Sequence, residues 1–203
     1  LVTSGPTREA LDPVRYLSNH SSGKQGHAIA AALAGLGAET ALITGPVDLP
    51  DPTGVQVVHV ESAADMLSAC EAALPADVAV CAAAVSDWRF ATSATEKMKK
   101  DGSGPPVLEL IENPDILKSL SQAENRRPGL VVGFAAETEK VVEHAVEKRA
   151  RKECDWILAN DVSPETGTFG GDSNRINFVH EDGVEDWPCL SKQEVATRLA
   201  ERI

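Results

Sequence analysis

The run at residues 77–85, Asp-Val-Ala-Val-Cys-Ala-Ala-Ala-Val, constrains the fold of this chain more than any other stretch. A strand that is apolar on both faces must be covered on both, which is the situation of a central strand in a parallel sheet packed between helices. The rest of the chain agrees with that demand. Strand-like runs at residues 1–3, 39–44, 55–60, 107–111, 130–134 and 156–159 alternate with helical patterns at about 22–36, 63–74 and 138–152. A further helix is opened by Asn113-Pro114-Asp115. This alternation predicts an α/β fold, a doubly wound, Rossmann-like and mostly parallel sheet. Near the C-terminus, Glu181-Asp182-Gly183 separates two β-rich runs, so a hairpin over about 174–188 is expected as an antiparallel C-terminal edge extension, before a last helix at 192–203. The 203 residues suit a single domain, 1–203, with a sizeable core.

Charge narrows the class of partner. A net charge of −12 argues against nucleic acid and membrane surfaces as general partners, so basic clusters should mark local sites. No apolar run reaches the ~18 residues of a membrane span, and no signal-peptide pattern is present. Cys70, Cys81, Cys154 and Cys189 show no C-x-x-C spacing and read as reduced thiols, hence a cytoplasmic protein. The five histidines lack metal-ligand spacing, which argues against zinc. Because the chain opens without Met on an apolar strand, it is expected to be a fragment whose N-terminal neighbour is absent.

In open α/β sheets ligands lie beyond the carboxyl ends of the strands, so the loops after Thr3, Val85, Ile111, Phe134 and Ala159 should share one crevice. Ser4-Gly5-Pro6-Thr7 reads as the turn that ends the first strand, and Asp12-Pro13 as the start of an extended excursion. Ser18-Asn19-His20-Ser21-Ser22-Gly23 then offers caps and free amides for phosphate or carboxylate, and reads equally as an ordinary capped helix start. It is no P-loop, and Gly35-Leu36-Gly37 is a helix end rather than a dinucleotide fingerprint. Asp87, after the central run, is a candidate for a Mg²⁺ ion carried by phosphates, or a turn aspartate. Residues 91–106 lack apolar periodicity and carry Lys97, Lys99 and Lys100, which predicts a flexible lid over a polyphosphate. Lys148, Arg149, Arg151 and Lys152 form a second basic patch, which a helix C-terminus would also favour. Phe134 reads as a strand end that stacks on a base or packs in the core, and residues 160–163 close the last parallel strand.

The ordered set TREALDPVRYLSNHSSGKQG, AAAVSDWR, EKMKK, ENPDI, VVGFAAET and ILANDVS closely resembles the phosphopantothenoylcysteine synthetase family, the ligase half of the bacterial bifunctional coenzyme A biosynthesis flavoprotein. The resemblance covers nearly the whole chain. It implies a CTP-dependent ligase that joins 4'-phosphopantothenate to L-cysteine through an acyl-cytidylate, with Mg²⁺ accompanying CTP. It also implies a homodimer, and an N-terminal decarboxylase domain, absent here, that alone would carry FMN. Carried over by motif, Cys81, Ala82, Ala83, Asp87, Lys97, Pro114, Asp115, Ile116, Leu117, Phe134, Lys148 and Lys152 match nucleotide-binding positions, with Asp87 toward the metal. Asn19, Ser21, Ser22 and Gly23 match the substrate loop, and Asn19 and Lys97 the catalytic positions. Pro6, Ser86 and Met98 depart from the commoner residues, and none removes a chemical group. Two rivals were weighed: a nicotinamide-dependent oxidoreductase, disfavoured by the missing G-x-G-x-x-G, and a non-catalytic nucleotide-sensing module, which would not need both the lysines and the Asn19 loop.

Overall fold

The computed structural model of the protein describes residues 1–100, 102, 104–162 and 173–203. Its first half comprises β1 (Val2–Ser4), β2 (Arg8–Ala10), β3 (Tyr16–Ser18), α1 (Lys24–Gly35), β4 (Ala41–Thr44), β5 (Gln56–His59), α2 (Ala63–Ala72), β6 (Val78–Cys81) and β7 (Trp88–Phe90). The second comprises β8 (Leu110–Glu112), α3 (Ile116–Ser121), β9 (Leu130–Glu137), α4 (Val141–Lys152), β10 (Trp156–Asp161), β11 (Ser173–Asn174), β12 (Ile176–His180), β13 (Gly183–Asp186), β14 (Leu190–Ser191) and α5 (Lys192–Arg202).

Eight strands form the main sheet in the order β13-β12-β10-β9-β6-β1-β4-β5. All neighbours are parallel except at β10–β12 and β12–β13, so the antiparallel C-terminal edge is where the hairpin signal put it. From β1 the chain winds outward through β4 and β5, then returns to the other side of β1 for β6, β9 and β10. The reversal lies between β1 and β6, and a crevice opens there beyond the strand ends.

Both faces of the sheet are covered, as its apolar strands require. On one face Val2, Leu42, Val80, Val132 and Leu158 pack with Ile29 of α1 and Val195 and Leu199 of α5. On the other, Ile43 and Ala79 pack with Met66 of α2 and Leu120 of α3, while Val131 and Ile157 pack with Ala145 of α4. The C-terminal extension adds Trp187 and Phe178, fully buried and stacked at 5.3 Å. α1 is drawn close to β1: a Cβ on Gly26 would lie 2.4 Å from Ser4 Oγ, so only glycine admits this approach.

Five local expectations are corrected. The run at 107–111 does not continue the parallel sheet. β8 instead pairs antiparallel with β7 in a separate two-stranded sheet, its side chains exposed and unable to satisfy a strand buried on both faces. Asp12-Pro13 does not begin an extended excursion but sits in the turn of the β2–β3 hairpin, because the Asp12 carboxylate accepts the amides of Val14 and Arg15. The central strand stops at Cys81 rather than Val85, where β1 has ended and only a bridge from Pro6 to Ala84 continues the pairing. β9 runs on to Glu137 beside β10, so Phe134 lies within a strand and not at its end. Finally, α1 has no side-chain cap; Gly23 occupies that position with φ of 72°, a left-handed conformation open to glycine at little cost. Ser163, and Asp101 and Ser103 of the expected lid, lie outside the described residues.

Candidate active site

Two clefts of about 470 and 550 Å³ open beyond the strand ends and share a wall made by Ala83, Val85, Asp87, Phe134 and Lys148. The first lies between the turn after β6 and the start of α3. Asn113 holds these together: its amide donates to the Asp87 carbonyl at 2.8 Å and its side-chain Nδ2 to the Ser86 carbonyl at 2.9 Å. Asp115 caps α3 by accepting the Lys118 amide at 3.0 Å and pairs with Lys152 of α4. Burial pushes the Asp115 carboxyl upward, but the Lys152 hydrogen bond and charge outweigh it and leave the group below its ordinary value.

The second cleft lies between the same wall and the loop before α1. Gly23 is fixed from beneath: Ser4 Oγ donates to its carbonyl at 2.9 Å, and His27 Nδ1 lies 3.0 Å from that hydroxyl. Asn19 Nδ2 reaches across to the Val85 carbonyl at 2.9 Å and so joins the loop to the wall. At the far end Gln25 Nε2 donates to the Lys192 carbonyl at 3.1 Å, while Asn174 Nδ2 donates to Gln25 Oε1 at 3.3 Å.

Among the described residues Lys148 is the cation common to both clefts. Its ammonium donates to the Phe134 carbonyl at 2.9 Å, and burial lowers its pKa from the ordinary 10.5, with Glu137 partly opposing. Half-buried Cys81 is a poor nucleophile, because burial pushes its thiol well above the usual range.

The comparisons with known proteins can now be placed on this geometry. The family described as the DNA/pantothenate metabolism flavoprotein C-terminal domain matches residues 1–203. The chain belongs to this family. It is 45% identical over 206 residues to the coenzyme A biosynthesis bifunctional protein CoaBC of Escherichia coli K12, and 42% identical to that of Bacillus subtilis. All of this chain is covered in both, against 50% of each relative, so it spans about half their length. Among solved structures it is similar to the C-terminal domain of a CoaBC protein, at 39% identity and a TM-score of 0.80 over 98% of this chain and 90% of that one. The DNA/pantothenate metabolism flavoprotein from Streptococcus pneumoniae matches at 25% identity and a TM-score of 0.82, over 99% and 96% of the two chains. This is the family that the ordered motifs point to.

Most of the residues singled out in the sequence meet here. Cys81, Ala83, Asp87, Pro114, Asp115, Ile116, Leu117, Phe134, Lys148 and Lys152 line the first cleft. Ala82, Asn19, Ser21, Ser22 and Gly23 line the second. Lys97 lines neither. Lys148, which the resemblance matched to a nucleotide-binding position and a helix C-terminus would also favour, lines both clefts. Sequence reasoning did not assign Asn113, Gln25, Asn174 or Lys192. Asn113 was visible inside the ENPDI motif and Gln25 inside TREALDPVRYLSNHSSGKQG, whereas nothing local marks Asn174, whose meeting with Gln25 is a product of topology. Among the described residues no group of three or more His, Cys, Asp or Glu could hold a metal ion, and no helix is long and apolar enough to cross a membrane.

Proposed function

We propose that the chain is a CTP-dependent ligase that condenses 4'-phosphopantothenate with L-cysteine, giving phosphopantothenoylcysteine, CMP and pyrophosphate. The observation that carries this reading is the shared wall: a nucleotide-type cleft and an oxyanion-type cleft abut at Lys148, Asp87 and Phe134. The names of the relatives place them in coenzyme A biosynthesis. In the first step the substrate carboxylate attacks the α-phosphorus; an O–P bond forms and pyrophosphate leaves with the electron pair of the bond that breaks. Lys148 stands where the two anions must meet and would offset the charge they bring together. In the second step the cysteine amine attacks the carbonyl of the mixed anhydride, loses a proton, and CMP leaves. Asn19 is placed to donate a hydrogen bond to that carbonyl oxygen, at the edge where its Nδ2 now meets Val85.

The nucleotide choice has a local rationale. The amides of Ala82 and Ala83 are donated to the carbonyl and hydroxyl of Thr3 at 3.2 and 3.3 Å, so carbonyls of this turn are the groups left to read a base. Carbonyls accept from an exocyclic amine, which cytosine has and uracil lacks. A Mg²⁺ ion brought by the phosphates needs one or two carboxylates. The exposed carboxylate of Asp87, on the wall common to both clefts, fits that requirement, and the ion would supply charge neutralisation there. FMN has no role in this half, belonging in this reading to an N-terminal decarboxylase domain.

A homodimer in the cytoplasm completes the proposal. The edge of β13 and the exposed Tyr16, Trp88 and Leu110 of the two small hairpins are surfaces that a second copy would cover. Pyrophosphate release, measured with CTP and phosphopantothenate and with or without cysteine, tests the activity. Release that requires both substrates and favours CTP over UTP and ATP is expected; no release, or equal rates with all three, overturns the assignment.

A further inference from the structure

The basic segment after β7 is bound to the body of the protein at defined points. The Ala94 amide donates to the Leu11 carbonyl at 2.9 Å. The Met98 amide donates to Asp12 Oδ2 at 3.1 Å, and the Met98 carbonyl accepts from Arg15 Nη2 at 3.0 Å. All three partners belong to the β2–β3 turn. Asp12 is their hub: its side chain is fully buried, and it also accepts the amides of Val14 and Arg15 and the Arg15 guanidinium. A carboxylate with this many donors holds its geometry far more firmly than a surface turn does. Lys97 immediately precedes the doubly held Met98, yet it lines neither cleft.

We propose that Asp12 is a positioning residue for Lys97: with Arg15 it pins Met98, so that the lysine swings to the phosphates from a fixed root instead of from free coil. The proposal rests on the ligase reading given above. A pinned root confines the search of the Lys97 ammonium to the reach of its own side chain and one or two peptide units, which lowers the ordering cost of bringing it in. It also links the β2–β3 turn, which touches neither substrate, to the first half-reaction. The segment therefore needs no disorder when empty in order to close when filled.

A double-mutant cycle of Asp12→Asn and Lys97→Gln, read as pyrophosphate release with CTP and phosphopantothenate, tests this. In Asp12→Asn an amide replaces the oxygen that receives Met98 and Arg15, so donors face donors and the root is freed. Release should slow about tenfold from wild type, a typical coupling between groups acting as one unit, and hardly at all in the Lys97→Gln background. Equal losses in both backgrounds overturn the positioning role while leaving the ligase reading intact. Normal release by Lys97→Gln alone overturns the lysine's part in that reading and this proposal with it. Hydrogen exchange on the wild-type protein needs no variant to fold: the Ala94 and Met98 amides should be protected without nucleotide and remain so with CTP bound. Exchange of Met98 at the rate of free coil would sink the anchor directly.

Discussion

Lys148 and Lys97 are both cations assigned to one polyphosphate, and the molecule treats them in opposite ways. Lys148 projects from a helix packed on the sheet, half-buried in the wall between two clefts and hydrogen-bonded to the backbone of β9. Lys97 lies on an exposed segment anchored at Ala94 and Met98, and it lines neither cleft. The wall must carry a charge before any ligand arrives, which burial makes costly. The segment keeps its charge in water until it is needed. In the proposed ligase both would serve: a permanent charge to define where two anions meet, and a late one to respond when charge develops and to exclude water.

The largest effect is expected for the late charge. Lys97→Gln should lose nearly all acyl-cytidylate formation, ~10³-fold in pyrophosphate release, because a cation brought to the developing charge in a water-excluded site is worth about this much. Nucleotide affinity, set mainly by the wall, should fall far less in calorimetric titration. Equal loss of affinity and rate would erase the contrast between the two lysines.

Asn19→Asp places a negative charge on the second-cleft side of the wall without touching the nucleotide side. Ligation of cysteine should slow by ~10²-fold, the usual consequence of losing one oriented donor, while the first half-reaction continues. Acyl-cytidylate should then accumulate and be seen by mass spectrometry after rapid quenching. Parallel decline of both half-reactions would instead make Asn19 the strut between loop and wall that its bond to Val85 describes.

A smaller effect separates the lysines by pH. Burial lowers the Lys148 pKa below 10.5, so its proton is lost at lower pH than from an exposed lysine. Nucleotide affinity should fall as pH rises through that lowered value. Stability should move the other way, because between the folded and unfolded pKa values the unfolded chain binds more protons, and the penalty of the buried cation is relieved. Lys148→Arg should shift the alkaline loss of affinity upward by keeping its charge. An unshifted limb in that variant would assign the titration to another group.

Much of this contrast was legible in the sequence, and the remainder was hidden for identifiable reasons. The strands around the central run announced themselves because burial on both faces leaves a continuous apolar signal. The place of the two clefts followed from where those strands end, whereas most of their individual residues came from the resemblance of the ordered motifs. The two small hairpins were misread because three-residue strands with exposed side chains have too short a pattern to declare a partner. Asp12 read as the start of an extended excursion, and neither its turn nor its grip on Met98 could be seen, the latter because the two are separated by 86 residues. The direction of Lys148 was equally invisible: helical spacing gives a face, and only the packing of α4 on β9 shows what that face looks into.

The same long-range construction bears on how the protein comes to exist. β1 is completed on one side only when β6 arrives, since Val2 and Thr3 pair with Val80 and Cys81 far along the chain. The first turn of α1 is tied to the start of α5 across 167 residues, and α5 lies against α1 on the same face of the sheet. Contacts of such separation are made late and slowly, because loop-closure entropy is lost before they reward it. The loop before α1 therefore waits, with one side of its helix bare, until α5 has been made. The second cleft, whose far end is closed by Lys192 at the start of α5, takes its shape only when the two helices have docked.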